Sequence, residues 1–180
     1  MKSTFFALLA VFSVVAAVPT PVARATVDVY NIHPNGDTTK CVGVLGGAFV
    51  TGAAIDIYDC NGSATQKWFS DQFGGSVRMT NPADGSEWSF DVNVDPLVNG
   101  ERVILNPFNT SGRDLTQNWL ARGSGVEPAI RLNMSPLTFV LDLTNGIKTN
   151  QNPLQLWEFV EGNTNQIGPT RLLEVRRSKC

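Results

Sequence analysis

The 180-residue chain contains a single histidine, His33. It has no Cys or His partner close in sequence, so no metal site is expected. A Ser-His-Asp triad would have to be built on that one residue, and no Gly-x-Ser-x-Gly elbow occurs anywhere. No phosphate-binding loop is present, and no spacing of Asp and Glu singles out a glycosidase pair. The chain is therefore read as a non-enzyme without a cofactor. Charge is scarce as well. Charged residues make up 17% and the net charge is -2, too weak a positive field for a nucleic-acid partner. The cluster of Arg171, Arg176, Arg177 and Lys179 reads as a solvated tail. Sustained helical periodicity is absent beyond the first residues. Sixteen Gly and ten Pro argue further against long helices.

Apolar residues make up 42%, enough for a packed core. The one long apolar run covers residues 5–18, behind the basic Lys2. This is the pattern of a signal peptide over residues 1–25, with cleavage expected after Ala17 or Ala25. The run is short for a membrane span, which needs about 20 apolar residues. No second such run follows, so a secreted, extracellular protein without a stable membrane anchor is expected. Three cysteines allow one disulfide and leave one residue over. Cys41 and Cys60, separated by turn signals, are the expected pair, and Cys180 the free one. The sequons at Asn61, Asn109 and Asn133 all lie in turn-like sequence and are candidate N-glycosylation sites.

The chain repeats itself three times. Gln66-Lys67-Trp68 and Gln117-Asn118-Trp119 share the pattern Gln-x-Trp, and Gln166 follows at a similar interval without the Trp. Upstream, Cys41-Val42-Gly43-Val44, Ser89-Phe90-Asp91-Val92 and Val140-Leu141-Asp142-Leu143 recur with the same period. A constant step leads from Gly43 to Tyr58, from Asp91 to Asn106 and from Asp142 to Trp157. Three slots recurring together indicate duplication of one unit, with repeats at about 27–74, 75–125 and 126–175. Within each unit, short β-prone runs alternate with Gly, Asn, Asp and Pro. An all-β fold of many short strands is expected, closed on itself to protect its edges.

These residues resemble the Gln-x-Trp repeat of ricin B-chain-type lectins, carbohydrate-binding modules, over about residues 27 to 170. The resemblance implies a β-trefoil of three pseudo-symmetric repeats and about twelve short strands, filling residues 26–180. It also implies one shallow sugar pocket per repeat, usually for galactose-type sugars. The physical needs of such a pocket are simple. A carboxylate or amide must accept from adjacent hydroxyls, an amide must donate, and a flat aromatic must cover the C–H face.

By the resemblance, Asp142 fills the acceptor slot of the third repeat, Trp157 the platform, and Asn165 and Gln166 the amide slots. This is the best pocket. In the second repeat Asp91 and Gln117 are in place, but Asn106 stands at the platform slot and Thr116 replaces Asn. Phe108, two residues on, is the substitute platform, or else a core or surface residue. In the first repeat Tyr58 and Gln66 match, while Gly43 replaces the acid and Thr65 the Asn. That pocket is expected to be dead or to use other residues. Trp68 and Trp119 are expected in the core, as are Trp88 and Phe139, and the Gln of each motif is expected to brace its loop. The function so implied is a secreted lectin whose partners are glycans on glycoproteins or polysaccharides. The alternatives are a β-trefoil protease inhibitor and a trefoil that has lost sugar binding.

Overall fold

Isoleucines and valines alternating with small or polar residues favour strands with one face on a core. The computed structural model describes residues 29–70, 75–93, 96–111, 114–121 and 129–167. Residues 1–25, expected to be a signal peptide, the basic cluster from Arg171 to Lys179 and Cys180 lie outside these residues. Among the described residues, eleven strands form in chain order. In the first repeat they are β1 (Lys40–Val44), β2 (Ala53–Asp59) and β3 (Phe69–Ser70). The second has β4 (Val77–Thr80), β5 (Glu87–Asp91), β6 (Glu101–Arg102), β7 (Ile104–Pro107) and β8 (Trp119–Leu120). The third has β9 (Arg131–Leu132), β10 (Phe139–Leu143) and β11 (Asn152–Glu158). Isolated bridges at Tyr30–Trp68 and Asp142–Gln166 mark two further short segments. With β6 and β7 taken as one interrupted strand, each repeat contributes four segments.

The threefold pattern is visible in the pairing. Strand β2 pairs with β7, β6 pairs with β11, and β11 pairs with β2, all antiparallel. The third segment of each repeat thus touches its counterpart in the other two, which closes the sheet without a free edge at that end. Each repeat also holds the same hairpin: β1 with β2, β5 with β7, and β10 with β11.

The core collects one face of these hairpins. Val42, Val44, Ile55, Ile57, Phe90, Leu105, Leu141, Leu143, Leu154 and Leu156 all belong to it. Trp68 and Trp119 are fully buried, and Phe90 stands between them at ring-centroid distances of 4.4 and 5.8 Å. Both indole N–H groups are satisfied, Trp68 by the Val42 carbonyl and Trp119 by the Thr116 carbonyl, each at 2.9 Å. The third repeat has no Trp here. Ile167 replaces it, fully buried, with its carbonyl accepting from the Ile130 N–H much as that of Trp68 accepts from Tyr30. It follows Gln166 directly, so this repeat reaches the core with one residue fewer. Phe139 is buried, whereas Trp88 is only partly so, edge-on to Phe49 with its indole N–H on the Ser86 hydroxyl.

Cys41 and Cys60 are joined, with Cα atoms 5.0 Å apart. They tie β1 to the end of β2, and closure of this loop contributes about 3 kcal/mol in the chain-entropy picture. The His33 ring lies beside the two sulfurs, but a bonded sulfur pair is not a metal-ligand set. No helix among the described residues is long and apolar enough to cross a membrane.

Candidate functional site

The hairpins that place core residues on one face place polar residues on the other. In the third repeat Asp142 on β10 stands directly opposite Gln155 on β11, and Val140 opposite Trp157. Trp157 therefore shares a strand face with Gln155, about 7 Å along the chain, and it is half-buried. The Gln155 side-chain amide donates to Asp142 Oδ1 at 2.9 Å. No other donor to this carboxylate exists among the described side chains, so Oδ2 keeps its acceptor capacity. Asp142 is 3% exposed. Burial pushes its carboxyl above the ordinary range, opposed by the hydrogen bond from Gln155.

The amide slots are held from the loop that follows. Gln166 accepts from the Val160 N–H at 3.1 Å and donates to the Glu158 carbonyl at 2.8 Å, which fastens the chain just after Trp157. Asn165 donates its N–H to the Asn163 side chain, and its carbonyl accepts from the Leu143 N–H. Its side-chain amide lies against Gly146, where a Cβ would come within 2.3 Å of Asn165 Oδ1. Gly146 also has φ +66°, which a side chain rarely tolerates. The turn Thr144–Gly146 is pinned by the Asn152 amide, which donates to the carbonyls of Thr144 and Ile147. Asp142 and Gln155 are thus hydrogen-bonded across the hairpin, Trp157 lies on the same strand face as Gln155, and Asn165 and Gln166 belong to the loop that packs along the same hairpin. Gln155 was not singled out in the sequence. The signal that could have found it is its place in the strand alternation, two residues before the platform slot.

The second repeat brings Asp91, Asn106 and Gln117 together and closes them on each other. Asp91 Oδ1 accepts from the Val92 N–H at 2.7 Å. Its Oδ2 accepts from the amides of Asn106 and Gln117, both at 3.0 Å. Asn106 turns inward and also accepts from the Gly52 N–H at 3.0 Å. Gln117 fastens its loop as Gln166 does, through the Asn109 N–H and the Pro107 carbonyl. Phe108 is not free to act as a platform on its covered face, because the Arg78 guanidinium lies 4.4 Å from its centroid. Arg78 is in turn paired with Glu87 at 2.6 Å.

In the first repeat Gly43 faces Asp56 across the hairpin. A Cβ on Gly43 would lie 3.1 Å from Gln66 Cγ and 3.2 Å from the Thr65 carbonyl oxygen, so a side chain there would require the motif loop to give by a few tenths of an ångström. Gln66 again braces that loop, accepting from the Asn61 N–H at 2.9 Å and donating to the Asp59 carbonyl at 3.0 Å. Tyr58 is 40% exposed and Thr65 is buried. The sequon residues Asn61 and Asn109 are exposed at the equivalent turn of their repeats, and Asn133 is exposed between β9 and β10.

The family model described as ricin-type beta-trefoil lectin domain matches residues 28–167. Among solved structures, the C-half of the earthworm R-type lectin in complex with GalNAc is 19% identical with a TM-score of 0.57. That match covers 78% of this chain and 95% of the other. The agglutinin of Rhizoctonia solani is 20% identical with a TM-score of 0.56, covering 82% and 96%. The designed threefold-symmetric protein ThreeFoil is 19% identical with a TM-score of 0.61, covering 77% and 94%. At this level of identity the likeness is one of fold. No curated protein sequence matches significantly.

Proposed function

We propose, because the chain belongs to the ricin-type beta-trefoil lectin domain family, that it is a secreted, non-enzymatic carbohydrate-binding protein whose main pocket lies in the third repeat. One observation carries the reading. A buried carboxylate with one oxygen uncommitted, Asp142, is bonded to the Gln155 amide across a hairpin whose next outward position on the same strand face is the half-buried ring of Trp157. Adjacent sugar hydroxyls donate to the carboxylate, and the ring covers the C–H face. Gln155 serves both ends, holding Asp142 in place and offering its carbonyl to a hydroxyl. A galactose-type sugar is favoured, in keeping with the GalNAc bound to the earthworm lectin. Secretion is supported by the signal-peptide pattern of residues 1–25 and by the Cys41–Cys60 bond, which persists in oxidising compartments.

The test is a glycan array with the purified protein beside Asp142→Ala and Trp157→Ala, each checked for folding. Binding to a defined sugar that both variants lose supports the reading. A well-folded wild type that binds no glycan overturns it, and protease inhibition is then the next activity to assay.

A further inference from the structure

Four Asn-Gly pairs occur in the chain: Asn35-Gly36, Asn61-Gly62, Asn99-Gly100 and Asn145-Gly146. This dipeptide is open to an uncatalysed reaction in which the glycine nitrogen attacks the asparagine carboxamide. Glycine has no side chain to hinder that approach. Where the fold holds either reacting group in a hydrogen bond, that bond must open first. At Asn99-Gly100 both groups are held. Asn99 Oδ1 accepts from the Glu158 N–H at 2.7 Å, and the Gly100 N–H donates to the Leu156 carbonyl at 2.9 Å. At Asn61-Gly62 the carboxamide oxygen accepts from the Ser63 N–H at 2.9 Å. At Asn35-Gly36 and Asn145-Gly146 neither group has a hydrogen-bond partner among the described residues. Both asparagines also stand at positive φ, 50° and 54°, where a residue with a side chain is disfavoured.

These two pairs differ in what lies beside them. Asn145 is exposed, in the turn Thr144–Gly146 at the tip of the third-repeat hairpin. The hairpin registers end at Val44 with Ile55 and at Leu143 with Leu154, so Asn145 and Gly146 stand where the first repeat has Gly46 and Gly47. Gly146 is pressed against Asn165, the amide at which a Cβ would arrive within 2.3 Å. A change in the backbone of this turn therefore reaches the third-repeat pocket. No contact of Asn35 or Gly36 with Asn165 exists among the described residues.

We propose that Asn145-Gly146 is a site of spontaneous deamidation, and that its conversion to isoaspartate weakens the third-repeat pocket through Asn165. The second half rests on the reading of the chain as a carbohydrate-binding protein. In the first step the Gly146 nitrogen bonds to Asn145 Cγ and the Cγ–Nδ2 bond breaks. Nδ2 leaves as ammonia, carrying the proton of the Gly146 N–H, and a five-membered imide remains. Water then opens the imide. Attack at Cγ gives aspartate. Attack at the main-chain carbonyl gives isoaspartate, in which Gly146 stays bonded to Cγ and the former main-chain carbonyl becomes a carboxylate. The main chain now runs through Cβ and Cγ, so the turn gains a methylene and a negative charge. The turn cannot absorb the extra length freely, because the Asn152 amide holds the carbonyls of Thr144 and Ile147 on either side of it. Gly146 is therefore displaced against Asn165.

The test ages the full chain at mildly alkaline pH. Each Asn-Gly peptide is followed by mass spectrometry, and isoaspartate is scored by its enzymatic methylation. Asn145 and Asn35 should convert about tenfold faster than Asn99, where two hydrogen bonds must open first. As Asn145 converts, the amide NMR signals of Leu143 and Asn165, which share a backbone hydrogen bond, should be replaced by new ones in the same proportion. Affinity of the isoaspartate form for the array-selected sugar should be about tenfold lower, the loss expected for one hydrogen bond. Asn145→Gly copies Gly46 of the first repeat and removes the reacting carboxamide. It should begin with wild-type affinity and keep it through ageing, while Asn35 converts as before. Conversion of Asn99 as fast as Asn145 overturns the proposal. So does an Asn145→Gly variant that loses affinity on ageing at the wild-type rate. A fresh wild type that binds no sugar defeats the carbohydrate-binding reading and with it the loss of affinity, whereas the conversion rates still decide whether the site deamidates.

Discussion

The second and third repeats carry the same acid at the same strand position, but the fold spends more of its acceptor capacity in the second than in the third. Asp142 has a single side-chain donor, Gln155. Asp91 has three donors, from Val92, Asn106 and Gln117. The difference starts at the platform slot. Trp157 makes no hydrogen bond to Asp142, whose side-chain donor is Gln155. Asn106 instead donates to Asp91, which makes that carboxylate part of a hydrogen-bond network inside the fold. A pocket residue is thus defined by what its neighbours leave unsatisfied as much as by its own type.

The comparison can be broken most directly by removing the two acids in turn. Asp142→Ala should weaken binding of the array-selected sugar by about 100-fold, measured by calorimetry. Asp91→Ala should leave that affinity unchanged. It should instead lower unfolding stability by about 2 to 3 kcal/mol, seen in urea melts, because it strands the buried donors of Asn106 and Gln117. Equal effects of the two on binding would refute the distinction drawn above.

The tryptophans divide in the same way. Trp119 is fully buried, and Trp119→Ala should cost about 3 to 5 kcal/mol of stability. Half-buried Trp157 should cost far less on replacement by Ala while abolishing sugar binding.

Asp56 offers a comparison in pH. Its carboxyl is raised from 3.8 to about 6 in the folded protein, so the folded state binds the proton more tightly than the unfolded one. The charged form therefore destabilises the fold above pH 6, and that penalty is relieved as the pH falls through 6 towards 3.8. Asp56→Asn should stabilise the protein by roughly 3 kcal/mol at pH 7.5, from 1.36 kcal/mol per pH unit. The gain should fade below pH 4. Thermal melts of both proteins across this range measure it, and a pH-independent difference would contradict the assignment.

The smallest effect is expected at the turns. Gly146→Ala adds a Cβ against Asn165 to an already positive φ, whereas Gly162→Ala, with φ +78°, meets nothing within 4 Å. Both should lose about 1 kcal/mol from the backbone. Only the first should also weaken sugar binding, several-fold, by moving the Asn165 amide.

Much of the fold was legible in the sequence. The Gln-x-Trp spacing marked the repeats, and the alternation around Ile55 and Ile57 marked strands with an inner face. The core place of Trp68 and Trp119 followed from the same motif. At the site, the residue types Asp142, Trp157, Asn165 and Gln166 stood in register along the chain. The pairing of Gln155 with Asp142 and the burial of Asp56 were not visible, because each depends on the residue faced across a hairpin. The inward turn of Asn106 was hidden for the same reason, as was the cation–π contact that occupies Phe108.

The sequence by itself determined what is periodic: the repeat, the strand faces, the buried aromatics and the cysteine pair. These follow from hydrophobic patterning and chain spacing, which a linear string records. Tertiary structure alone decided which carboxylates are spent inside the fold and which keep acceptor capacity. That depends on hydrogen bonds such as Gln117 to Asp91, 26 residues apart, or Gln155 to Asp142 across a hairpin. Strand register and side-chain direction set such partners, and neither exists until the strands have paired.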